Sequence, residues 1–119
     1  MERKRVGIVL FEDVEVLDFC GPFEVFSATR MNEEKRREEP SPFEVLLIAE
    51  NPSPITTTGG MKVVPHYTFD SCPRLDILVC PGGWGTRHAS RNENAGEILW
   101  PASVGAEYHG VTMLATYIY

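Results

Sequence analysis

Cysteine is scarce in this chain, and its spacing excludes two whole classes of protein. Cys20, Cys72 and Cys80 are the only three in 119 residues. An odd count with no C-x-x-C excludes a disulfide framework and a zinc-type ligand set, so reduced thiols are the expectation. Long apolar runs are also missing. None approaches the roughly 18–20 residues that a membrane span needs. A basic surplus is absent too: the formal net charge is −6, so the surface as a whole repels nucleic acid and anionic membrane. The basic-then-apolar opening "MERKRVGIVLF" faintly mimics a secretory leader. Its apolar run stops at Phe11, however, and Glu12 and Asp13 follow at once, so a cytoplasmic protein is expected. There is no internal repeat and no low-complexity tract. "PGGWGTR" fits neither the phosphate-binding G-x-x-x-x-G-K-[ST] pattern nor G-x-G-x-x-G.

What is present is the composition of an ordinary globular domain, 43% hydrophobic and 24% charged, with length for one core. "RVGIVLF" (Arg5 to Phe11), "FEVLLIAE" (Phe43 to Glu50) and "LDILVC" (Leu75 to Cys80) are apolar without alternation, which predicts strands covered on both faces. After a loop "EDVEVLD", the Gly21-Pro22 pair predicts a helix start, with Phe23, Phe26 and Val25 as its apolar stripe. The charged run Met31 to Pro42 reads as a solvated helix end and linker. Gly59-Gly60, between "ITTT" and "MKVVPHY", predicts a hairpin turn and a small antiparallel excursion. Strand, helix, strand, hairpin, strand points to an α/β fold with a mostly parallel sheet.

Ligands of such sheets collect beyond the carboxyl ends of the strands. Two of those ends carry suggestive residues: the loop with Glu12, Asp13, Glu15 and Asp18, and the turn Pro81-Gly82-Gly83. Two readings of the glycines are open: a plain strand-to-loop turn, or bare amides that stabilise an oxyanion or hold a phosphate. Asp18 reads either as a helix amino-terminal cap and dipole partner or as a general acid/base. Cys20, next to the expected helix start, is a candidate for a thiol activated by the helix dipole, whereas Cys72 and Cys80 read as inert. His66, His88 and His109 are far apart and read as lone surface or loop residues.

Taken in order, "VGIVLFEDVEVLDFCGPFEVF" and "TTTGGMKVVPHYTFDSCPRLDILVCPGGWGTR", with the strand between them, resemble the DJ-1/PfpI superfamily. Within it the likeness is to isonitrile-hydratase-like proteins and to the amino-terminal sensor domains of AraC-type regulators. It runs from Arg5 to Trp100. The resemblance implies a flavodoxin-like three-layer α/β sandwich and a homodimer; neither cofactor nor metal is expected. It also implies a cysteine nucleophile at a sharp strand-to-helix turn, an acid from the first loop and amide donors from the PGG turn. Carried over by residue, Asp18 takes the acid/base position, and Gly82 and Gly83 take the backbone-donor positions. Cys20 falls where the family is often apolar or carries Thr.

The nucleophile of that family belongs to a segment resembling S-V-C-T-G-A, and this chain has none. Val111 to Tyr119 can form the strand that leads to it, which would put Thr116 or Ile118 where the cysteine stands. The expectation is a single domain over 1–119, incomplete and truncated at its carboxyl end, with a divergent tail over 101–119. Pro101, Gly105 and Gly110 make that tail a poor helix. A fragment, a scrambled tail and a reduced domain that binds without reacting all remain open. The functional expectation is a family domain without the catalytic thiol. The alternative is a small-molecule-binding sensor module.

Overall fold

The computed structural model describes residues 2–82 and the backbone of 108–112. Its elements run β1 (Lys4–Val9), α1 (Val16–Ala28), β2 (Phe43–Ala49), β3 (Ile55–Thr56), β4 (Lys62–Val63), β5 (Tyr67–Thr68), β6 (Ile77–Pro81) and β7 (Tyr108–Thr112). Five strands form one sheet in the order β5-β2-β1-β6-β7, and β3 pairs with β4 in a separate ribbon. Every pairing within the large sheet is parallel: Val6 lies beside Val45 on one side and Ile77 on the other, and Pro81 lies beside Thr112. The small ribbon is antiparallel, as expected, and Gly59 and Gly60 turn it with φ of 89° and 95°. That left-handed region is open to glycine without steric penalty.

The continuous apolar runs have a simple cause. Successive strand residues point to opposite faces, and both faces are covered. Val6 and Ile8 of β1, Leu47 and Ala49 of β2 and Val79 of β6 join Phe19 of α1 in one core cluster. Val9, Leu46, Ile48 and Leu78 form a second cluster with Leu75, against which Phe69 and Cys72 of the loop before β6 also pack. Gly7 falls on that second face because Leu75 lies over it: a Cβ at position 7 would run into the Leu75 side chain.

The helix differs from the sequence expectation. It begins at Val16 rather than at Gly21-Pro22, so "EVLD" is its first turn and Pro22 lies inside it. An interior proline costs roughly 3 kcal/mol or more, because it removes one ladder hydrogen bond and crowds the preceding turn. Here the apolar face offsets that. Val16, Phe19, Cys20, Phe23 and Phe26 recur at helical spacing and all pack against the first core cluster. Val25, expected in that stripe, instead points outward and is 65% exposed.

The end of α1 is tied to the start of β2. The buried Ser41 hydroxyl donates to the Phe26 carbonyl and accepts the Phe43 N–H at 3.0 Å. The Phe26 and Phe43 rings meet edge to face with centroids 4.9 Å apart. The charged run between them is exposed, as expected, and holds a single 3-10 turn at Glu33–Lys35. Arg30 closes the helix end by donating to the carbonyls of Ser27 and Thr29.

Two further boundaries moved. "MKVVPHY" divides at Val64-Pro65, giving β4 to the ribbon and β5 to the edge of the main sheet. The strand expected within Val111 to Tyr119 is instead Tyr108–Thr112, and Thr116 and Ile118 lie outside the described residues.

Candidate ligand site at the strand ends

The carboxyl ends of β1 and β6 face the first loop, and the structure sorts that loop's acidic residues into different tasks. Glu12 and Asp13 belong to the β3–β4 ribbon. The Glu12 carboxylate accepts the Thr56 N–H at 3.2 and 3.3 Å, and the Asp13 N–H donates to the Thr56 carbonyl at 2.8 Å. The Thr58 hydroxyl and N–H donate to the carbonyls of Asp13 and Val14. Asp13 itself sits at φ 62°, a left-handed corner that a short polar side chain tolerates better than most. The ribbon is thereby stitched along the first loop.

Glu15 and Asp18 turn the other way, toward the end of β6. Glu15 is the N-cap residue of α1, in extended backbone, and its N–H donates to the Gly82 carbonyl at 3.0 Å. Asp18, three residues on, is completely buried, and its Oδ2 accepts the Gly82 N–H at 3.0 Å. The Asp18 N–H donates back to the Glu15 carbonyl at 3.1 Å. Asp18 is therefore not the cap of its helix. It stands in the first turn, where an acidic group complements the helix dipole, and it reaches across to the glycine turn 64 residues away.

Two of the three residues expected at the site, Asp18 and Gly82, are thus in direct contact. Gly83 lies outside the described residues. The Gly82 amide donates to Asp18 rather than standing bare toward a ligand. β7 brings a further strand end to the same rim, since its last residue, Thr112, is in register with Pro81.

The cysteines are not at that contact. With α1 starting at Val16, Cys20 falls in the second turn, beyond the amino-terminal end where the dipole would favour a thiolate. Burial pushes its thiol up. Cys80 packs on the second core face, the side away from α1, and burial pushes its thiol up as well. Burial also raises the Cys72 thiol, against a smaller downward pull from Arg5, and its Sγ donates to the Pro73 carbonyl. His66 is exposed, and its Nδ1 accepts the Leu47 N–H at 2.8 Å, extending the β2–β5 edge. His109 lies on β7 beside Leu78, and His88 lies outside the described residues. Among the described residues, no group of three or more His, Cys, Asp or Glu could hold a metal ion, and no helix is long and apolar enough to cross a membrane.

Comparison with known proteins settles the lineage. The model of the DJ-1/PfpI family matches residues 4–102. The chain belongs to that family. It is 28% identical over 112 residues to the isonitrile hydratase of Pseudomonas putida, a match covering 94% of this chain and 43% of that protein. Among solved structures, a THiJ/PfpI family protein from Pseudomonas syringae superposes with a TM-score of 0.78 at 23% identity, over 93% of this chain and 42% of that one. DJ-1beta of Drosophila melanogaster gives 0.66 at 18% identity, over 87% and 51%. At these identities the two structures establish the fold, which is flavodoxin-like α/β. The chain spans less than half the length of the Pseudomonas putida relative.

The acidic residues of the first loop thus divide between two places in the fold. Of the four, Asp18 touches the glycine turn through its side chain, Glu15 through its backbone N–H, while Glu12 and Asp13 bind the ribbon. The bond between Glu12 and Thr56 had no local sequence signal, because its partners are 44 residues apart.

Proposed function

We propose that this chain is a non-catalytic DJ-1/PfpI domain that binds a small molecule at the rim where Asp18 meets Gly82; Gly83, the third residue expected there, lies outside the described residues. The observation that carries this reading is the state of its thiols. All three cysteines have their pKa raised by burial, which leaves them protonated and weakly nucleophilic at neutral pH. No cysteine follows Cys80 in the sequence as far as Tyr119. Residues 113–119, which follow the end of β7, therefore supply no thiol to this rim. Covalent catalysis of the cysteine type needs an activated thiol within reach of the electrophile.

The similarity to an isonitrile hydratase supports a small, neutral, carbon-centred ligand of the isonitrile kind. Binding without covalent chemistry would make the site a sensor, like the amino-terminal domains of AraC-type regulators. The homodimer and the cytoplasmic location expected from the sequence belong to the same proposal, and sedimentation at several concentrations tests the former.

The test is to incubate the protein with tert-butyl isonitrile while following both melting temperature and product. The expected result is a concentration-dependent rise in Tm with no N-tert-butylformamide formed. Formamide produced at a rate proportional to protein concentration would overturn the non-catalytic reading. An unchanged Tm at saturating ligand would overturn the binding reading.

A further inference from the structure

We propose that Asp18 is a positioning residue of the rim: it fixes the Gly82 peptide by accepting its N–H, and it is not the group that moves a proton. This rests on the reading of the rim as the ligand site, and it assigns Asp18 a different task from the acid/base role that the family resemblance implies.

The geometry is that of a two-point grip. Gly82 has only two polar groups, its N–H and its carbonyl, and both are held by one short piece of chain. Asp18 Oδ2 takes the N–H at 3.0 Å, and the Glu15 N–H supplies the carbonyl at 3.0 Å. The two gripping residues are themselves joined, because the Asp18 N–H donates to the Glu15 carbonyl. The N–H and the carbonyl belong to the two peptide units that flank the Gly82 Cα, so holding both restrains the two backbone torsions at that residue. Gly82 lacks the side chain that would otherwise restrict it, so the grip supplies the order that the residue does not.

Burial strengthens this arrangement. Asp18 is wholly inaccessible to solvent and Gly82 is buried. Water therefore does not compete for the bond, and a hydrogen bond in such surroundings is electrostatically stronger than one in water. Because Asp18 comes from the first turn of α1, the position of that helix on the sheet determines where the backbone at Gly82, just past β6, is held. The rim's orientation is thus built from two strand ends and one helix start.

The arrangement also narrows the ligand class. The Gly82 N–H is already committed, so an anionic ligand can take it only by displacing a carboxyl oxygen, with Glu12, Asp13 and Glu15 in the same loop. A neutral ligand seats beside the gripped peptide without breaking it. The Gly82 N–H is therefore not on offer to an anion, in keeping with the uncharged, isonitrile-like ligand proposed above.

The experiment is amide NMR on the 15N-labelled full chain, as wild type, Asp18→Asn and Asp18→Ala. An Asn side-chain oxygen can still accept the Gly82 N–H but cannot transfer a proton as a carboxyl does, and Ala can do neither. The expected result is that Gly82 hydrogen exchange is slow in wild type and in Asp18→Asn. In Asp18→Ala it should be faster by roughly tenfold to a hundredfold, the range for leaving a buried N–H without its acceptor. Equal protection in all three proteins would overturn the proposal, and so would equal loss in both variants. If Asp18→Ala does not fold, wild type and Asp18→Asn decide, and fast Gly82 exchange in both would overturn the proposal.

Binding is followed on the same samples with two probes. The neutral tert-butyl isonitrile should raise the Tm of wild type and of Asp18→Asn alike, and acetate should leave the Gly82 resonance in place. Loss of isonitrile binding in Asp18→Asn, with Gly82 still protected, would return Asp18 to a proton-transfer or charge role. Displacement of Gly82 by acetate would overturn the neutral-ligand assignment. Failure of isonitrile to bind wild type at all would refute the proposed function and leave the Gly82 exchange data to judge the grip independently.

Discussion

Gly7 and Leu75 offer a direct check on how β1 and β6, the strands that end at the rim, are spaced. Leu75 is 2% exposed, and a Cβ built at Gly7 would collide with its Cδ1 and stand 3.0 Å from Cδ2 and 3.2 Å from Cγ. Overpacking of this kind costs about 1–3 kcal/mol. Against it stands the gain of about 0.5–1 kcal/mol from replacing glycine by alanine in a strand. Gly7→Ala should therefore destabilise by a net amount of up to about 2.5 kcal/mol. Leu75→Ala should cost about 2–5 kcal/mol, as a buried leucine truncated to leave a cavity. In the double variant the new methyl enters the space that the leucine vacated, so the clash vanishes and only the strand gain remains. The two substitutions should then couple by about 1–3 kcal/mol, well beyond the roughly 0.3–0.5 kcal/mol within which independent sites add. Urea denaturation of the four proteins, read as unfolding free energies with a common slope, measures this. Additivity within about 0.5 kcal/mol would refute the contact and the placement of the loop before β6 over β1.

Other expectations follow from the same contacts. Ser41→Ala removes a hydroxyl that bonds both Phe26 and Phe43, and should destabilise by roughly 1–3 kcal/mol in the same assay; an unchanged midpoint would contradict it. Because burial raises the Cys80 thiol above its ordinary value of 9.0, the stability it contributes is complete below the unfolded thiol pKa and is lost as pH rises through the folded one. Stability measured from pH 8 upward should fall less steeply in Cys80→Ala than in wild type, and equal slopes would contradict the burial. Glu33 and Arg36 form an exposed ion pair, with the carboxyl held below its ordinary range by the Arg36 hydrogen bond. Glu33→Gln should leave the denaturation midpoint where it is, because solvent screens such pairs; a clear drop would contradict that.

The sheet was legible in the sequence because burial on both faces writes the same apolar signature into β1, β2 and β6. The hairpin turn was legible because Gly59 and Gly60 adopt the positive φ that glycine favours. The start of α1 was not. Pro22 carries the local signal of a first helical position, and the packing of Val16, Phe19 and Phe23 overrides it. β5 has only two residues, and the His66 side chain extends its edge by accepting a backbone N–H, an arrangement that no periodicity announces. Asp18 stood out as a candidate beforehand, but its link to Gly82 joins residues 64 apart and comes from the parallel topology alone. Cys20 looked activated only while the helix was placed too late.

The proposal that none of Cys20, Cys72 and Cys80 is an activated thiol is tested most directly by alkylating the folded protein with iodoacetamide across pH 6 to 10 and locating the label by mass spectrometry. Slow labelling at Cys20, Cys72 and Cys80 throughout the lower part of that range, accelerating only above the ordinary thiol value of 9.0, is the predicted result. Rapid labelling of any one of them near neutral pH, suppressed by tert-butyl isonitrile, would contradict it and place a working nucleophile at the rim.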